Sequence, residues 1–241
     1  MAELDWTSLV GELDGASVLR AVTAGTTPPN GGGSFIRGAN SLQNNTGVVG
    51  QYHNGTGFAP TAKGGEISGA LMRGTSAGTT GYAVFLFAQL GGTNVADTGY
   101  ILGLSDGSPG RIVLRKGSLA TGLPDEAPGT GGVLARSDES VANDVWAHVR
   151  MEMVVNLSGD VVINVYRSDL GSNPVTSPVW VPVPGMDGFS GGVAATAIID
   201  DALGVNTGSV PLTAGRMGYG HWSNDVSRRS YVDHIKPERQ L

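Results

Sequence analysis

Apolar and polar residues alternate strictly along residues 145–155. Val145, Ala147, Val149, Met151, Met153 and Val155 fall on one parity, and Trp146, His148, Arg150, Glu152 and Val154 on the other. A strand with one buried face has this period of two. Asn156, Ser158, Gly159 and Asp160 then supply turn chemistry, through side chains that bond local backbone and a glycine free to take positive φ. The chain returns as Val161–Tyr166 with Val161, Ile163 and Val165 on one face, rich in the β-branched residues that suit a pleated surface. The pattern predicts a β-hairpin over residues 144–167 around which the rest is organised.

Short apolar runs recur on both sides of this hairpin. Tyr82–Ala88 is nearly continuous in apolar residues, which predicts a central strand covered on both faces. Val179–Val183 contains Pro182 and reads as an edge strand. Residues 118–139 hold Pro124, Pro128 and several glycines, and predict a mobile surface loop. About a dozen strands at a spacing of roughly ten residues predict an all-β sandwich or barrel.

The first fifteen residues differ. Leu4, Trp6, Leu9, Val10 and Leu13 give an apolar stripe near helical spacing, with Glu3 and Asp5 where a helix dipole favours anions. Gly11 and Gly15 weaken that helix. The segment 1–15 is therefore a short helix or arm. It packs either on its own domain or on a neighbouring subunit. Its apolar content, outside a domain spanning 16–241, favours contact with a partner subunit.

Composition narrows the function classes. The net charge of −6 comes without a basic run, which argues against nucleic acid as a partner. No apolar run is long enough for a membrane helix, so no membrane partner is expected. Cysteine is absent, which removes disulfides and thiolate metal sites. With no apolar signal segment after Met1, the expectation is folding inside the cell that makes the protein. Asn45, Asn54 and Asn156 match or adjoin glycosylation patterns, but without an export signal they read as turn residues.

Three stretches together resemble the concanavalin A-like jelly roll in its laminin-G-like branch. They are Tyr100–Leu104 with Ile112–Gly117, Val145–Glu152 with Gly159–Tyr166, and Gly215–Gly220 with Ser230–Ile235. The resemblance implies a sandwich of two antiparallel sheets, with a Trp-led strand and hairpin in the curved sheet. Some members of that fold are glycoside hydrolases with two glutamates along one strand. Here Glu152 stands alone on its strand, so no catalytic residue is assigned and the chain is expected to be non-enzymatic. Lectin-like members place sugars on a polar sheet, which makes Trp146, His148, Arg150 and Glu152 the glycan candidates, although Trp146, at the start of the most regular strand, is expected first as a core or core-edge anchor. Calcium at a rim is implied by the same resemblance. Asp200, Asp201 and Asp233 are the carboxylates available for it, and no other cofactor is expected.

Two function classes follow. The first is a structural protein of a bacteriophage virion, as a capsid decoration, head-fibre or tail component. It would assemble in the host cytoplasm with other virion proteins or copies of itself. Low charge, no cysteine and Gly/Thr/Ala-rich loops carry that reading. The second is a carbohydrate-binding module that recognises a surface glycan.

Overall fold

The computed structural model describes residues 6–8, 20–21, 36–39, 47–58, 65–74, 81–89, 94, 96–171, 178–186, 189–190, 193–194, 198–200, 211–212, 215–223 and 229–239. Their strands are Trp6–Ser8 (β1), Arg20–Ala21 (β2), Ile36–Ala39 (β3), Gly47–Phe58 (β4), Gly65–Arg73 (β5) and Tyr82–Gln89 (β6). Next come Thr98–Leu104 (β7), Gly110–Ser118 (β8), Val133–Val141 (β9), Trp146–Val155 (β10) and Val161–Gly171 (β11). The last are Val181–Pro182 (β12), Phe189–Ser190 (β13), Val193–Ala194 (β14), Ile198–Asp200 (β15), Gly215–Ser223 (β16) and Arg229–Arg239 (β17). Among the described residues the one helical element is a 3-10 turn, Leu119–Thr121.

The strands form a seven-stranded sheet in the order β1-β4-β16-β6-β7-β8-β9. An eight-stranded sheet runs β12-β11-β10-β5-β17-β3-β2, with β15 attached to β11. Strands β13 and β14 pair with each other. The pairings are antiparallel, and two such sheets face to face make the expected jelly-roll sandwich.

Parity decides what fills it. Ala147, Val149, Met151 and Met153 of β10 enter the core between the sheets, where Val161, Ile163 and Val165 of β11 join them. Val84, Leu86 and Ala88 of β6 reach the same core from the other sheet, with Leu102 of β7 and Leu114 of β8. The opposite parity of β6, Ala83, Phe85 and Phe87, is buried too, in a second cluster on the outer side of the seven-stranded sheet. The central, doubly covered strand expected at Tyr82–Ala88 is thus present. Its neighbour packs tightly: a Cβ on Gly103 of β7 would lie 2.1 Å from the Val84 carbonyl oxygen.

The cover over this second cluster corrects the expectation of a mobile loop at 118–139. Leu119, Leu123 and Val133 pack into the cluster beside Trp222, and residues 133–141 form β9. Arg115 of β8 pins the segment. Its Nε donates to the Gly131 carbonyl at 2.7 Å, and its Nη1 donates to Thr121 Oγ1 at 2.5 Å and to the Gly122 carbonyl at 3.0 Å. Gly132, at φ +80°, lets the Lys116 N–H reach its carbonyl at 2.9 Å. Side-chain and backbone donors thus satisfy carbonyls that the composition alone leaves open.

The N-terminal expectation is corrected in part. Trp6–Ser8 is strand, not helix, and pairs with β4 of its own sheet in the register Trp6↔His53. This stretch of backbone pairs within its own domain. Leu4, Leu9, Val10 and Leu13 lie outside the described residues. At the far edge of the other sheet, Val181–Pro182 pairs, among the described residues, only with β11 and is the expected edge strand.

Candidate functional site

The turn after β10 sets the register of the hairpin. Asn156 Oδ1 accepts from the Ser158 N–H at 2.9 Å and from the Asp160 N–H at 3.0 Å. Val155 therefore faces Val161, and the ladder places Glu152 opposite Asn164 and Arg150 opposite Tyr166. On the other flank of β10, Glu152 lies opposite Glu66 and Arg150 opposite Ser68, both on β5. Directly opposed residues share a face, so Glu66, Arg150, Glu152, Asn164 and Tyr166 lie together on the outer face of the eight-stranded sheet.

Their side chains are half-buried, and those of Arg150, Glu152, Asn164 and Tyr166 are interconnected. Glu152 Oε2 accepts from the Tyr166 hydroxyl at 3.2 Å and from Asn164 Nδ2 at 3.4 Å. The Arg150 guanidinium carbon sits 4.4 Å from the Tyr166 ring centroid and 5.4 Å from that of Trp180. Such stacking holds the cation flat against the rings. The Arg150 Nε is buried without a hydrogen-bond acceptor. Desolvation first, and the Glu152 carboxylate second, hold the Tyr166 hydroxyl above the ordinary phenol range, so it stays a donor.

The sequence candidates divide along this strand. Arg150 and Glu152 belong to the half-exposed patch. Trp146 is wholly buried against Ala70, Met72 and Tyr231, the packing anchor expected of it, which corrects its alternative assignment as a sugar platform. His148, at 2% exposure, is likewise withdrawn from solvent. Glu66, Asn164, Tyr166 and Trp180 were not singled out. Counting back from the Asn156–Asp160 turn would have found Asn164 and Tyr166, because that turn fixes who faces whom. Glu66 comes from a strand, and Trp180 from the residue before β12, whose partners the local pattern does not reveal.

Of the acidic candidates for calcium, Asp200 is engaged by other groups. Asp200 is fully buried, and its Oδ2 meets Lys116 Nζ at 2.7 Å and takes a hydrogen bond from the Tyr100 hydroxyl at 2.5 Å. An ammonium on the carboxylate occupies the place a cation would need. Asp201 lies outside the described residues, and of Asp233 only the backbone register, opposite Ala70, is described. Among the described residues no group of three or more His, Asp or Glu could hold a metal ion.

No protein-family model matches the chain, and no curated protein matches it. Solved structures do. A carbohydrate recognition domain of Emp46p superposes with a TM-score of 0.50 at 9% identity, covering 98% of this chain and 88% of that one. The carbohydrate-binding module CBM66 from Bacillus subtilis gives 0.49 at 9% identity, with 99% of each chain covered. The exoplasmic/lumenal domain of VIP36, in a form bound to calcium and mannose, gives 0.42 at 12% identity over 98% of this chain and 90% of that one. The fold is the concanavalin A-like, lectin-like jelly roll.

Proposed function

We propose that this lectin-like jelly roll is a non-catalytic glycan-binding domain, and that its ligand lies on the outer face of β10 and β11. One observation carries the reading. Arg150 is stacked on Tyr166 and close to Trp180, beside a Glu152 carboxylate already organised by Tyr166 and Asn164. Aromatic faces take the C–H faces of sugar rings, and a fixed carboxylate and guanidinium take hydroxyls with charge-assisted bonds. The names of the solved neighbours point the same way for those proteins. Together these favour the glycan-binding reading over a purely structural one. The virion remains the setting we propose for such binding, to be tested by a mass-spectrometric inventory of the particle.

The test is a glycan array probed with the wild-type chain, followed by titration of the best hit against Trp180→Ala and Glu152→Gln. Each variant is expected to weaken binding about tenfold or more, equivalent to about 1.4 kcal/mol, while keeping the fold. No bound glycan, or a hit that both variants retain at full affinity, refutes the proposal.

A further inference from the structure

Lys116, Asp200 and Tyr100 form a buried cluster that plays no part in the glycan face. Lys116 lies on β8 of the seven-stranded sheet, directly opposite Tyr100 on β7. Asp200 ends β15, which is attached to the eight-stranded sheet through β11. The contact between them therefore bridges the two halves of the sandwich. The Lys116 and Asp200 side chains are 3% and 0% exposed, with Nζ and Oδ2 2.7 Å apart. Tyr100, Ile198 and Leu212 belong to the apolar core around them. The Tyr100 hydroxyl is held in place: it accepts the Leu212 N–H at 3.0 Å and donates to Asp200 Oδ2 at 2.5 Å.

We propose that Lys116 and Asp200 condense to an intramolecular isopeptide bond. Separated charges are costly in such a site, and condensation to a neutral amide removes both of them. In the reaction one ammonium proton passes to the carboxylate, which frees the Nζ lone pair beside a carboxyl group whose Oδ2 already takes a hydrogen bond from Tyr100. Nζ attacks Cγ, the N–C bond forms, and one C–O bond breaks. The departing oxygen leaves as water, carrying both protons the ammonium loses beyond the one retained on the amide. An ammonium and a carboxylate thus become an amide and one water, with no oxidant, reductant or other co-reactant. Tyr100 donates to the oxygen as charge develops and is restored when water departs. Fixed proximity supplies the entropic advantage of an intramolecular reaction, and the dry surroundings oppose hydrolysis. In a chain with no cysteine, the product is a covalent tie that needs no oxidising compartment.

Intact-mass spectrometry of the full recombinant chain tests this without a variant. The expected mass is lower than the sequence mass by one water, and proteolysis should release one branched peptide joining the segments around Lys116 and Asp200. A Lys116→Met chain should show its full sequence mass. A wild-type mass equal to that of the sequence overturns the proposal. So does a water loss that maps elsewhere or persists in Lys116→Met. Should Lys116→Met not fold, the branched peptide of the wild type decides alone.

Discussion

Glu152 on β10 stands directly opposite Glu66 on β5, on the face turned away from the core that Ile67, Met151 and Met153 enter. Read along its own strand, Glu152 had no acidic companion. The companion comes from across the sheet. Like charges so placed repel by a few tenths of a kcal/mol to about one, and residues kept for binding often cost stability in this way. Glu152→Gln keeps an acceptor for Tyr166 and Asn164 while removing the repulsion. We expect it to raise unfolding stability by about 0.5 kcal/mol as glycan binding falls. Urea midpoints and glycan titrations on the same preparations check both directions. A variant that is less stable assigns Glu152 a structural role.

Trp146→Ala should cost about 3–5 kcal/mol, because it empties a wholly buried indole site lined by Ala70, Met72 and Tyr231. The urea midpoint reads this. A midpoint equal to wild type would mean that the indole contributes no packing.

Arg115→Met removes the donors that hold the carbonyls of Gly131 and Gly122 and the Thr121 hydroxyl. A loss of about 2–4 kcal/mol is expected from several severed charge-assisted bonds. Limited proteolysis gives the sharper contrast. The wild type should resist cutting within residues 118–132, and the variant should be cut there first. Equal cleavage patterns would show that Leu119 and Leu123 alone keep the segment down.

Acid should weaken the fold through His221. Its ring is buried between the sheets with Nδ1 2.6 Å from Ser230 Oγ, and burial pushes its pKa down to about 3 from 6.5. The folded chain keeps this ring neutral while the unfolded chain takes up a proton below about pH 6.5. Its stabilisation is therefore complete above about pH 6.5 and declines by about 1.4 kcal/mol per pH unit down to about pH 3. Urea unfolding at stepped pH should show that slope in wild type and lack it in His221→Leu, whatever the variant's absolute stability. Parallel pH profiles would remove His221 from the account.

Local periodicity made the hairpin legible, because Val145–Val155 and Val161–Tyr166 each carry one apolar parity and a turn joins them. The doubly buried strand at Tyr82 was legible from a different signal, a nearly continuous apolar run with no alternation. The packed segment 118–132 was not, since what fixes it is a distant guanidinium rather than its own composition. Trp6 misled because three residues of edge strand lie inside a stretch whose apolar spacing also fits a helix. Within the site, Arg150 and Glu152 were readable as the polar parity of one strand. Trp146 and His148 share that parity, but packing on the same sheet withdraws them from water, and no one-strand pattern carries that information.

The segment over Phe85, Phe87 and Trp222 paves one broad side of the molecule, while the Arg150–Glu152 patch on the opposite side stays partly open to solvent. The domain consequently has a front and a back. A tether, label or solid support attached at the exposed Ala120 or Thr130 would leave the Arg150 patch facing outward, whereas one attached beside Val181 would crowd it. Immobilisation chemistry thus becomes a choice of orientation, and coupling through the exposed Lys236, opposite Ser68 on the same face as Arg150, would crowd the patch.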